Sequence, residues 1–111
     1  MSAGELEAAA DRGALAAILE ARGRDREAWE VLGEVLATLE RVLGPDHYDV
    51  AGVLDRLASI ADRRGDRVAA AELLIRSLTI RRRVLGAEHA EVRRTAAALA
   101  RTRPECEDRD G

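Results

Sequence analysis

Arg41-Val42-Leu43-Gly44-Pro45-Asp46-His47 recurs, little changed, as Arg83-Val84-Leu85-Gly86-Ala87-Glu88-His89. The offset is 83 − 41 = 42 residues, and it holds outward from the heptad on both sides. Leu15, Ala16, Ile18, Arg22 and Gly23 match Leu57, Ala58, Ile60, Arg64 and Gly65. Ala28, Glu30, Leu32 and Leu36 match Ala70, Glu72, Leu74 and Leu78. Val50, Leu57 and Ala58 then match Val92, Leu99 and Ala100. A fixed period of about 20–50 residues marks a chain of stacked supersecondary units. Such units bury apolar faces against each other, so function is to be sought on a surface rather than in a catalytic pocket.

Composition agrees with a folded helical chain. At 111 residues there is room for one domain, and 47% apolar with 35% charged residues argues against disorder. Phe is absent and Trp and Tyr occur once each, which leaves Leu, Val, Ile and Ala to form the core. Such a core suits closely approaching helices better than sheets. All 18 basic residues are Arg, while Lys, Asn and Gln are missing. Codon usage of a GC-rich, bacterial-like genome explains this, so Arg content by itself does not point to nucleic acid. The Arg81-Arg82-Arg83 run sits where positive charge complements a helix C-terminus. With a net charge of −3 and two aromatic residues, nucleic-acid binding is not expected.

Five amphipathic helices follow from three- and four-residue apolar spacing. The first spans about Glu5 to Arg22, with Leu6, Ala10, Leu15, Ile18 and Leu19 as its apolar set, and Gly23 ends it. The second runs from about Arg26 to Leu43 through Trp29, Leu32 and Leu36, and stops at Gly44-Pro45. Asp46 or a near neighbour is expected to cap the third, with Asp49 at capping-box spacing; that helix ends at Arg64 before Gly65. The fourth covers about Val68 to Leu85. The fifth starts near Glu88 or His89 and stops at Pro104. Short links make successive helices antiparallel neighbours.

The pattern resembles the tetratricopeptide repeat, in the 42-residue form found in kinesin light chains. Leu15-Ala16, Leu57-Ala58 and Leu99-Ala100 carry the first-helix signature. Gly23 and Gly65 fill the turn, Ala28 and Ala70 the small position of the second helix, and Leu32 and Leu74 the large position four residues on. Leu43-Gly44-Pro45-Asp46-His47 is the linker of the longer form. The resemblance implies an all-α solenoid of five antiparallel helices: two hairpins and a C-terminal capping helix. The expected domain is residues 1–104, with repeats at about 5–46 and 47–88, a half repeat at 89–104, and a charged flexible tail at 105–111. It departs from the family at the inner-face Asn pair, where Asp55-Arg56 and Gly13-Ala14 stand.

The resemblance also implies a non-catalytic adaptor whose concave face, lined by first helices, holds a peptide or helix of a partner. Carried over, that face takes Ala17 and Glu20, then Asp55, Arg56, Ser59, Asp62 and Arg63, then Arg94, Ala98 and Arg101. Arg56, Arg63, Arg94 and Arg101 would form a basic wall for carboxylates, giving an acidic protein or peptide as the expected partner. Charge is also polarised. Residues 1–55 hold 12 acidic and 5 basic groups, and residues 56–103 hold 5 acidic and 12 basic. That split offers an alternative, a homo-oligomer stacked head to tail; a further alternative, an accessory regulatory subunit of a larger complex, has no residue of the sequence behind it. His47 and His89 recur in the linker, which gives them a turn or packing role rather than a metal or catalytic one. No cofactor is expected, nor a metal, since Cys106 stands alone without ligand companions. The N-terminus lacks a signal-peptide pattern and no apolar run reaches about 18 residues, so the chain is read as cytoplasmic without a membrane span.

Overall fold

The structure, a computed structural model, describes residues 2–102, which form five helices and no strand. These are α1 (Ser2–Ala21), α2 (Asp25–Leu43), α3 (Tyr48–Arg63), α4 (Arg67–Leu85) and α5 (Ala90–Thr102). Packing follows chain order: α1 on α2, α2 on α3, α3 on α4 and α4 on α5. The layout of two hairpins and a single helix is the one expected. The tail at 105–111 and the stop at Pro104 lie outside the described residues.

Glycine sets the turns. Gly23, Gly44, Gly65 and Gly86 all have positive φ, between 76° and 101°. At Gly23 the next amide, Arg24 N–H, returns to the Leu19 carbonyl at 2.8 Å, and Gly23 N–H reaches Glu20 at 2.9 Å. At Gly65 the same two bonds recur, Asp66 to Ala61 and Gly65 to Asp62. This paired closure satisfies carbonyls that would otherwise be orphaned at the helix end.

Helix starts are narrowed to particular caps. For α3 the cap is His47, the near neighbour of Asp46: its Nδ1 accepts from the Asp49 amide at 3.0 Å. Asp46 instead faces Arg83 across the surface. His89 repeats the cap at α5, accepting from the Glu91 amide at 3.0 Å, so α5 begins at Ala90. Asp66 caps α4 through the Ala69 amide.

The core is aliphatic. Leu32, Leu54, Ile60, Ile80 and Val50 are fully enclosed. Ala16, Ala28, Ala58 and Ala70 are also buried, and their small size lets helix backbones approach closely. Trp29 is half-buried and touches both apolar clusters, one spanning α1 to α4 and the other reaching α5 through Ala98 and Leu99. Arg64 lies over its ring, 5.7 Å from the centroid. Three apolar residues assigned to α1 from sequence do not face inward: Ala10, Leu15 and Ile18 are exposed, the last two being large side chains. The equivalents of those two, Leu57 and Ile60, are buried.

Candidate functional site

Two clefts open between successive first helices. The one between α3 and α5 measures about 520 Å³. On α3 it is lined by Asp55, Ser59 and Asp62, and on α5 by Arg94, Ala98 and Arg101. Both sets follow i, i+3/i+4, i+7 spacing, which places each on one face of its helix. Leu74 and Ala58 supply an apolar floor. The second cleft, about 640 Å³, lies between α1 and α3 and includes Ala17 and Arg56.

Five of the seven site residues expected from sequence therefore share one groove. Arg56 belongs to the other cleft and Arg63 lines neither. No continuous basic wall forms, because those two arginines are held by the first hairpin. Arg56 donates to Glu20 at 3.1 Å and to the Gly13 carbonyl at 3.2 Å. Arg63 forks onto Asp25 at 2.9 and 3.0 Å and reaches Glu20 at 3.4 Å. The bond from Arg63 holds the Asp25 carboxyl below its ordinary range against a smaller opposing effect of burial. Arg94 and Arg101 are exposed, and among the described residues neither makes a hydrogen bond or ion pair.

One end of the groove holds a network that the sequence reading passed over. Arg81 is only 9% exposed. Its guanidinium donates to Asp55 on α3, to Glu91 on α5 at 2.7 Å and to the Tyr48 hydroxyl at 3.4 Å. It also lies 5.4 Å from the centroid of the Tyr48 ring. Tyr48 in turn donates to Glu91. That bond is the main reason the Tyr48 hydroxyl is shifted up and the Glu91 carboxyl down; Arg81 adds to the lowering of Glu91. Burial works against the Arg81 cation, but Asp55 and its other partners outweigh it, and its pKa lies above the ordinary arginine value. Asp55 Oδ1 and Arg81 Nε are buried without a hydrogen-bond partner, so this corner is not fully satisfied.

The arginine run concealed this role. Arg82 and Arg83 are exposed at the helix end, as a dipole argument requires, while Arg81 turns inward. The 42-residue offset held the signal, since Arg81 occupies the place of Leu39, itself buried. An arginine at a core position needs carboxylate partners, and α3 and α5 supply them.

The groove offers the guanidinium groups of Arg94 and Arg101, neither in a hydrogen bond or ion pair among the described residues, beside the polar side chains of Asp55, Ser59 and Asp62. That suits hydrogen-bonding recognition of a carboxylate-bearing segment. His47 and His89 serve the backbone as caps. No group of three or more His, Cys, Asp or Glu side chains among the described residues could hold a metal ion. No described helix is long and apolar enough to cross a membrane.

Comparison with known proteins agrees with the fold. A solved structure of nearly identical TPR-like repeats, from a kinesin light chain of Podosopora anserina, is 29% identical with a TM-score of 0.77. The likeness covers 85% of this chain and 44% of that one, so this chain spans less than half of that protein's length. No curated protein matches the sequence. The family model of the tetratricopeptide repeat matches residues 6–81, and repeats of this family are generally protein–protein interaction modules. The match takes in both hairpins up to the inward-facing arginine of α4, and with it the chain belongs to the tetratricopeptide repeat family.

Proposed function

We propose that the α3/α5 groove is a non-catalytic docking site for an acidic segment of a partner protein. The observation that carries this reading is the state of the four inner-face arginines. Arg56 and Arg63 are engaged by Glu20 and Asp25, whereas Arg94 and Arg101 line a groove and, among the described residues, form no ion pair with a carboxylate. An acidic ligand would supply the missing charge, with Ser59 and Asp62 selecting donors along its backbone. The lone cysteine in the sequence favours a reducing, cytoplasmic setting.

The test is titration of the full chain with fluorescent acidic peptides. Replacing Arg94 and Arg101 together by Ala is expected to weaken binding at least tenfold and to leave the unfolding midpoint unchanged. Arg56→Ala should do the reverse, lowering stability with little effect on binding. Equal affinity in the Arg94/Arg101 variant would remove the groove from consideration.

A further inference from the structure

The face that each first helix turns toward the preceding hairpin can be followed three times at the 42-residue offset. On α3 it is Val50, Val53, Leu57 and Ile60, all buried. On α5 it is Val92, Thr95, Leu99 and Thr102, buried or half-buried. On α1 it is Ala8, Asp11, Leu15 and Ile18, all exposed, Leu15 at 44% and Ile18 at 52%. Packing within a hairpin is common to both units, α1 on α2 and α3 on α4. The burial that α3 has and α1 lacks therefore comes from the preceding hairpin, chiefly from α2, which lies on α3 as α4 lies on α5, with α1 contributing beside Val53.

We infer that this face of α1 is a docking surface for a basic, leucine-striped amphipathic helix, seated as α2 is on α3. The two internal seams say what such a helix carries. α2 carries leucines at 32, 36, 39 and 43, at three- and four-residue spacing, and α4 carries them at 74, 78 and 85, with Arg81 in the place of Leu39. Charge specifies the rest. Asp11 stands where α3 has Val53, Glu7 is exposed one turn before it, and neither makes an ion pair among the described residues. The docking helix is thus leucine-striped and basic. A second folded copy does not supply it, because its α2 and α4 are already covered by α3 and α5. The inference does not depend on the α3/α5 groove.

A peptide of residues 67–85 is a ready probe, being leucine-rich, basic and already of the covering type. It would be titrated into the full chain while the methyl resonances of Leu15 and Ile18 are followed. Saturable shifts at both methyls are expected, with affinity reduced at least tenfold by Leu15→Glu/Ile18→Glu. Both side chains are exposed, so that variant should keep its helicity and unfolding midpoint. The acidic peptide of residues 25–43 should bind more weakly than the basic one. Absence of saturation, or unchanged binding in the double variant, overturns the inference. So do shifts that follow the concentration of the chain alone, which would make a second copy the occupant. Loss of acidic-peptide binding in the Arg94/Arg101 variant bears only on the groove, so the two readings fail separately.

Discussion

Arg81 ties three helices together through one side chain. It replaces a core leucine of the first unit and binds Asp55 and Glu91, whose side chains are 32% and 29% exposed. Removing one member of a buried ion-pair cluster strands the others, at about 3–5 kcal/mol when all are enclosed. Here the carboxylates keep some water, so Arg81→Ala is expected to cost about 2–3 kcal/mol. Urea unfolding followed by circular dichroism measures this, and a loss near zero would show that the network is decorative. The same cluster gives a pH dependence. Glu91 holds its proton less tightly in the folded chain than in the unfolded one. Its contribution is complete above the ordinary glutamate value of 4.5 and is lost as pH falls through the lower folded value. Tyr48 runs the opposite way: its contribution is complete below 10.0 and is lost as pH rises through the raised folded value. Stability should therefore fall at both extremes, and the Glu91→Gln variant should have a shallower acid limb. An unaltered acid limb would separate Glu91 from acid unfolding.

The number of helices, their pairing and the glycine turns that end α1 to α4 were legible in the sequence, because glycine at the turns and three- and four-residue spacing are local signals. The cap of α3 was legible only as Asp46 or a near neighbour. Asp46 and Asp49 have capping-box spacing, yet the imidazole of His47 reaches the Asp49 amide first. The repeat at His89 was the available clue, since a residue type held at the same turn of both units serves the turn. Loss of an N-cap acceptor costs about 1 kcal/mol. His47→Ala is expected to destabilise by that amount and His47→Asn to restore most of it, measured by thermal unfolding. Equal midpoints for the two variants would mean the imidazole does not cap. Periodicity also misjudged α1, because spacing reports which residues share a face and not what covers that face. Leu15 and Ile18 lie on an apolar stripe that no described helix covers.

The charge polarity of the whole chain looks, in sequence, like an invitation to stack copies. Folded, much of it closes on itself. Glu20, Asp25, Glu40 and Asp46 from the acidic half meet Arg56, Arg63, Arg76 and Arg83 from the basic half. These partners lie 36 to 38 residues apart. That separation is less than one repeat and is set by how neighbouring units lean together, which residue spacing alone does not give. The pairs lie between the two hairpins, so they fasten the units together within one molecule. Exposed pairs of this kind are individually weak and are screened by salt. The consequence differs from that of charge-driven stacking. If the polarity drove assembly, raising the salt would lower the mass seen by light scattering. If it fastens the seam, salt should leave the mass constant and lower the thermal midpoint by a few degrees, on the order of 5 °C. Glu20→Gln, which removes the ion pair of Arg56 and the weaker of the two held by Arg63, should reproduce part of that drop at low salt and make the midpoint less sensitive to added salt. A mass that falls with salt while the midpoint stays fixed would return the charge split to contacts between copies.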